Sequence, residues 1–239
     1  VKPSTADGAS GTGSADITVA IDGPAGVGKS TLAQALAAEL NIPYINTGLM
    51  YRGLAARALQ RGIDLDDTPA LAREAAGFRF AVGGQPPGEL LIDGRPPGPE
   101  LTTAEVEEIV SRVSRHAAVR EVLRRAQRDL RGRGCVMEGR DIGTEVLADA
   151  DVKIFLMAPP AVRARRRARQ RATGDPAGEP PISEALTLRD AQDAATNPLV
   201  PSKDAYTLET AGLSPQAVLR AALSLVRRRV GQTGRNGAT

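Results

Sequence analysis

The run Gly23-Pro24-Ala25-Gly26-Val27-Gly28-Lys29-Ser30 fits the pattern G-x-x-x-x-G-K-[ST] at every position. Small residues let successive backbone N–H groups turn inward around a β-phosphate, and a helix beginning at the end of the run adds the positive end of its dipole. In that setting Lys29 reaches the β- and γ-phosphates and the Ser30 hydroxyl can ligate Mg²⁺, with Thr31 beside them at the helix start. The other reading, a glycine-rich turn with no ligand, is disfavoured by the agreement of all eight positions and of the flanking strand and helix. The first expected ligand is therefore a nucleoside triphosphate. No Asn-Lys-x-Asp guanine reader occurs, and Gly83-Gly84-Gln85 lacks the flanks of a transporter-ATPase signature.

Five further segments could hold a second, phosphorylated substrate, whose repulsion against the first would need fixed guanidinium groups to offset it. Thr47, Gly48, Tyr51 and Arg52 follow a short predicted strand, where a hydroxyl, a glycine and an arginine suit a phosphate monoester. A plain turn with a solvated Arg52 is the alternative. Glu138-Gly139-Arg140-Asp141 follows another predicted strand, at the sheet edge where α/β proteins bind ligands. Arg140 could serve a phosphate and Asp141 a base, or the two could form a loop ion pair. Six arginines fall between Arg163 and Arg171, among them Arg166 and Arg167; most read as a solvated helix face, with one or two turned toward phosphates. Arg189 and Asp193 are four apart and share a helix face, which an i,i+4 ion pair would also explain. Ser111 and Arg120, taken singly, read as surface polar residues.

The elements that must position these groups come from pattern. Residues 17–22, 135–137 and 152–157 read as interior strands, with a weaker strand at 204–209. Leu32, Leu36 and Leu40 give a helix one apolar face, and Ser214-Pro215 opens a closing helix expected to end at Val230. Strands alternating with helices predict a parallel α/β sheet covered on both faces. Residues 68–133 differ: 78–82 and 89–93 read as a hairpin, Thr102 and Glu105 as a capping box, and two helical stretches run to Arg131. This segment is expected to pack as an insertion beside the main sheet, between core segments 16–67 and 134–230. Val1–Ala15 and Gly231–Thr239 read as flexible tails.

Composition sets outer limits. The 239 residues are 41% hydrophobic and 25% charged, ordinary globular usage. One cysteine, Cys135, excludes an intrachain disulfide and a cysteine-built zinc site; one histidine, His116, excludes a site needing two imidazoles. The formal net charge of +3 is too small to argue for nucleic acid, and aromatics are only 3%, without tryptophan. An RNA-binding module built on the arginine stripe remains the rival from another functional class. No apolar run suggests a membrane span and no secretory leader is visible, so a cytoplasmic location is expected.

Taken in order, Ile21 to Ser30, Thr47-Gly48-x-Met50-Tyr51-Arg52, Glu138 to Thr144, Val152 to Leu156 and Arg189-Asp190 resemble bacterial cytidylate kinases from about Asp16 to Val230. The run Val136 to Thr144 is more specific to that family than the phosphate loop. The resemblance implies a P-loop NTPase fold with a five-stranded parallel core, a nucleoside-monophosphate-binding insertion and a short lid at about 160–180. It implies transfer of the γ-phosphoryl group of ATP to CMP or dCMP with Mg²⁺, in pyrimidine nucleotide metabolism. Nothing in the sequence demands a dimer, so a monomer that binds neither nucleic acid nor membrane is expected. By motif position it implies that Thr47, Arg52 and Arg140 hold the CMP phosphate, and that Ser111, Arg120 and Asp141 read cytosine. Arg189 and Asp193 would hold the sugar, Arg189 also approaching the transferring group, and Arg166 and Arg167 would cover the ATP phosphates. One departure stands out: the arginine that relatives carry between the position of Asp193 and the Pro-Leu step is missing, with Lys203 or Arg171 as replacements.

Overall fold

A computed structural model describes residues 16–84, 88–171 and 199–236. The β-branched run of β1 (Thr18–Asp22) is buried along its whole length and sits at the middle of one sheet. It is followed by α1 (Lys29–Leu40), β2 (Tyr44–Asn46), α2 (Thr47–Arg61) and α3 (Thr68–Ala76). The hairpin β3 (Phe80–Gly83) and β4 (Glu89–Ile92) comes next, then α4 (Ala104–Ser114) and α5 (Ala117–Asp129). The chain returns through β5 (Cys135–Gly139), β6 (Val152–Met157), α6 (Pro160–Arg171), β7 (Tyr206–Glu209) and α7 (Pro215–Asn236).

The sheet order is β3-β4-β2-β5-β1-β6-β7, parallel throughout except for the antiparallel β3-β4 pair. The expected α/β architecture stands, but the sheet has seven strands rather than five. The five expected strands are there as β2-β5-β1-β6-β7. The hairpin does not stand beside them; it extends the sheet, because Tyr44 pairs with Glu89 and the Tyr44 N–H donates to Gly88 O at 2.9 Å. That contact covers the outer edge of β2.

Register places the site. Ile21 and Asn46 both lie opposite Glu138, and Asp22 lies between Gly139 and Phe155. The carboxyl ends of β1, β2 and β5 are therefore level, and every loop that leaves them opens on the same edge. Alternation along β1 sends Val19 and Ile21 into a core shared with Leu36 of α1 and Ala222 of α7. Ala20 faces the opposite core, with Ile45, Met137 and Ile142. A third core joins Met50 and Leu54 of α2 to Val106 and Val110 of α4 and Leu123 of α5. The wall of the site contributed by α4 and α5 is thus fastened to α2.

Two boundaries differ from expectation. The cap of α4 is Thr103, whose hydroxyl accepts from Val106 N at 3.3 Å, while the Thr102 hydroxyl instead donates to Pro99 O within a preceding 3₁₀ turn. The last helix continues through Gly231 to Asn236, past the expected stop at Val230, with Ser214 capping its start as expected.

Candidate active site

The phosphate loop joins β1 to α1, and its backbone requires glycine. Gly23 has φ of 145°, and a Cβ there would lie 2.5 Å from the carbonyl oxygen of Leu156. Two arginines of α6 hold the outside of the loop: Arg163 Nη1 donates to Ala25 O at 3.1 Å and Arg166 Nη1 to Val27 O at 3.0 Å. In a trans peptide the C=O and the following N–H point opposite ways. Fixing those two carbonyls outward therefore aims the N–H groups of Gly26 and Gly28 toward the other side of the loop. Lys29 Nζ donates to Gly23 O at 2.8 Å and Pro24 O at 3.0 Å, which keeps the ammonium over the loop.

Two clefts open on this loop. One, of about 450 Å³, is lined by Val27, Gly28, Thr31, Arg166, Thr210 and the apolar side chains of Leu213 and Val218. The other, of about 240 Å³, is lined by Thr47, Tyr51, Arg52, Ser111, Arg120, Arg140 and Asp141. Gly26, Lys29 and Ser30 line both. Among the described residues these three are the shared lining, so two elongated ligands would meet there.

In the smaller cleft the N-terminus of α2 stands against the end of β5. The Thr47 hydroxyl donates to Glu138 O at 2.8 Å, so its lone pairs rather than its proton face outward. Arg52 Nη2 reaches Glu107 Oε1 of α4 at 3.0 Å. Across the cleft Arg120 Nη1 donates to Ser114 O at 3.0 Å and Arg115 O at 2.6 Å, which ties the start of α5 to the end of α4 beside Ser111. Asp141 is held by Arg124 of α5, through Nε at 2.9 Å and through Nη2. Burial opposes the Arg124 charge, but its hydrogen bond to Asp141 together with the charges of Asp141 and Glu145 raises the guanidinium above its ordinary value. Tyr51 lies beneath; burial, with Asp141 nearby, pushes its hydroxyl far up, so it stays neutral.

Two more carboxylates lie between the strand ends. Asp22 accepts from Ile142 N at 2.8 Å and Gly143 N at 2.7 Å, the first amides of a π-type turn over Ile142–Val146. Burial raises its pKa against those two hydrogen bonds, and both oxygens serve the turn. Glu138 is 3% exposed and lines the smaller cleft; its Oε1 accepts the Tyr44 hydroxyl at 2.6 Å. Ser30 lines the same cleft. A hydroxyl and a carboxylate there suit a hard cation that keeps waters and is shared with substrate phosphates. Among the described residues no group of three His, Cys, Asp or Glu side chains forms a cage of its own.

The sequence-predicted residues gather as follows. Thr47, Tyr51, Arg52, Ser111, Arg120, Arg140 and Asp141 come together in the smaller cleft. Gly28, Lys29, Ser30, Thr31 and Arg166 come together in the larger. Gly23 and Pro24 line neither; they shape the loop and receive the lysine. Arg166 Nη1 also donates to Thr210 Oγ1 at 2.8 Å and its Nη2 to Thr210 O at 2.6 Å, so the guanidinium is a brace at the cleft wall. Arg189, Asp193 and the side chains of Arg167 and Arg171 lie outside the described residues, and Lys203 is exposed. Sequence reading passed over Arg124, Thr210 and the carboxylate of Glu138. Glu138 sits inside a quoted motif, so its signal was at hand; Arg124 and Thr210 carry none, since their partners are distant in the chain. Among the described residues no helix is long and apolar enough to cross a membrane.

A family model described as cytidylate kinase matches residues 19–228. A cytidylate kinase of Pelotomaculum thermopropionicum is 43% identical over 208 residues, covering 84% of this chain and 92% of the relative. One from Rhodococcus jostii is 41% identical over 221 residues, covering 90% and 96%. Another, from Corynebacterium efficiens, is 42% identical over 209 residues, covering 85% and 91%.

Proposed function

The chain belongs to the cytidylate kinase family, and from that premise we propose that it transfers the γ-phosphoryl group of ATP to CMP or dCMP, giving ADP and CDP or dCDP. The observation that carries this is the meeting of two clefts at Gly26, Lys29 and Ser30. A triphosphate in the larger cleft ends where a monophosphate in the smaller one begins, which is the alignment an in-line displacement needs.

The nucleobase of ATP rests toward Leu213 and Val218, and its phosphates run over Gly28, Lys29 and Thr31. Lys29 leaves the carbonyls of Gly23 and Pro24 for the β- and γ-phosphates, exchanging two neutral acceptors for charged ones. The acceptor phosphate is held by Arg52 and Arg140, with Thr47 turning its hydroxyl outward to donate. That phosphate is already anionic, so no strong general base is needed, and catalysis is alignment plus charge neutralisation by Lys29, Arg140 and Arg189. Asp193 is assigned to the sugar. The Ser30 hydroxyl and Glu138 would hold Mg²⁺, which would supply neutralisation of charge on the phosphates.

Cytosine offers an exocyclic amine beside ring N3 and O2. Asp141 accepts from the amine, while Arg120 and Ser111 donate to the acceptors. Uracil presents a carbonyl in place of the amine, which faces Asp141 with a second acceptor and costs about 1–3 kcal/mol. A coupled assay with ATP and each of CMP, dCMP, UMP and AMP tests the reading. Preference for CMP and dCMP is expected, and equal rates with UMP or AMP would refute the assignment of Asp141 and Arg120.

A further inference from the structure

Arg124 belongs to none of the motifs that point to the reaction, yet it makes the closest contact to the carboxylate assigned to the base. Its Nε and Nη2 both donate to Oδ2 of Asp141, and its Nη1 lies 3.5 Å from Glu145 Oε2. The two side chains are mostly out of water, at 17% and 12% exposed. Oδ1 accepts no hydrogen bond among the described residues. Tyr51 of α2 and Arg120 of α5 line the same cleft as Asp141, and the carboxylate of Asp22 on β1 is near enough to feel its charge.

We infer that Arg124 is a positioning residue for base selection: it pins Oδ2 of Asp141 so that the carboxylate meets the base only through Oδ1. This rests on the reading that Asp141 faces the cytosine amine. A carboxylate free to rotate could swing aside when the carbonyl of uracil takes the place of the amine, and lose its power to discriminate. With Nε and Nη2 of Arg124 both on Oδ2, that rotation is closed. Discrimination between amine and carbonyl then comes from α5, an element that places Arg120 on the same base.

The test is a set of steady-state constants for ATP, CMP and UMP, with thermal midpoints, in Arg124→Met, Arg124→Lys and Asp141→Asn. A charged hydrogen bond of the usual strength predicts that Arg124→Met raises KM for CMP about tenfold and lowers the CMP-over-UMP preference about tenfold. The KM for ATP is expected to stay within about twofold, because the larger cleft shares no wall with Arg124. Arg124→Lys keeps the charge without the fork and is expected to fall between; it carries the test if the methionine variant does not fold. An unchanged KM for CMP and an unchanged preference overturn the inference, as does an equal rise in KM for both substrates, which would mark a mere fastener of α5. Asp141→Asn separates the two claims. If it leaves the CMP-over-UMP preference intact, the base-reading role of Asp141 fails; if it abolishes the preference while the Arg124 variants keep it, only the role of Arg124 fails.

Discussion

Arg52 on α2 and Glu107 on α4 are joined by an ion pair of 3.0 Å, with 18% and 15% of their side chains exposed. The guanidinium assigned to the acceptor phosphate is thus matched by a carboxylate from the helix that carries Ser111. A dianionic phosphate must compete with Glu107 for Arg52. Such a partly exposed pair is worth about 0.2–1 kcal/mol. Glu107→Gln is therefore expected to lower KM for CMP about two- to fivefold, with little change in KM for ATP. A KM for CMP that is unchanged or raised would mean that Glu107 helps to aim Arg52 rather than to occupy it.

Thr210 is 2% exposed and its hydroxyl lies 3.3 Å from Val27 O and 3.1 Å from Met157 O while accepting from Arg166. It connects the end of β7, the end of β6 and the phosphate loop. Thr210→Val keeps the shape and leaves those groups without their partner, at a cost of about 1–3 kcal/mol of stability. The loop should also loosen. A lower thermal midpoint and a raised KM for ATP, with KM for CMP nearly unchanged, are the expected result. Equal effects on the two substrates would argue that the brace serves the fold alone.

Much of this is legible in the amino-acid sequence. The phosphate loop, β1, β5 and β6 all follow from local pattern, because a buried parallel strand needs a continuous apolar run and a P-loop needs its glycines at fixed spacing. Thr47, Arg52 and Asp141, singled out from local motifs, and Ser111 and Arg120, named only through the family resemblance, line one cleft. What was hidden depended on partners far apart in sequence. The hairpin joins the sheet through the pairing of Tyr44 with Glu89, which neither segment announces. Thr102 and Thr103 are chemically alike, and only the bond of Thr102 to Pro99 O decides which one caps α4. Arg124 looks like any exposed arginine of an amphipathic helix until Asp141 is brought against it.

Cys135 lies wholly buried in β5, and burial pushes its thiol from an ordinary 9.0 up to about 12. The unfolded thiol ionises near 9.0 and the folded one does not, so the folded state binds more protons between those values. The stability contributed by the neutral thiol is complete below the ordinary value and is lost as pH rises toward about 12. The slope from this group is at most about 1.4 kcal/mol per pH unit. Two measurements check this. Alkylation at pH 8 should proceed only through opening of the fold and accelerate with denaturant, and Cys135→Ala should flatten the decline of stability above pH 9 relative to the parent. Rapid labelling of the native protein would contradict the burial of β5.

Gly139, at the end of β5, faces the start of α2 at Thr47. A Cβ placed there would lie 2.6 Å from Thr47 Oγ1 and 2.6 Å from Ile142 Cδ1. The backbone at this position is not left-handed, so alanine is excluded by space rather than by φ. Ile142 cannot retreat easily, since it is 1% exposed and its N–H is fixed on Asp22. Thr47 must then move, breaking its hydrogen bond to Glu138 O and turning the N-terminus of α2 away from the cleft. Overpacking of this kind costs about 1–3 kcal/mol. Gly139→Ala is expected to lower the thermal midpoint and to raise KM for CMP at least about tenfold, because displacing an aligned group by one ångström is enough for a loss of that size. Nucleotide binding in the larger cleft should survive, since Gly139 lines only the smaller one. Calorimetric titration with ATP alone separates the two effects: intact ATP affinity beside a lost CMP response locates the damage at the junction of β5 and α2, whereas loss of both would mean that the sheet edge as a whole has shifted.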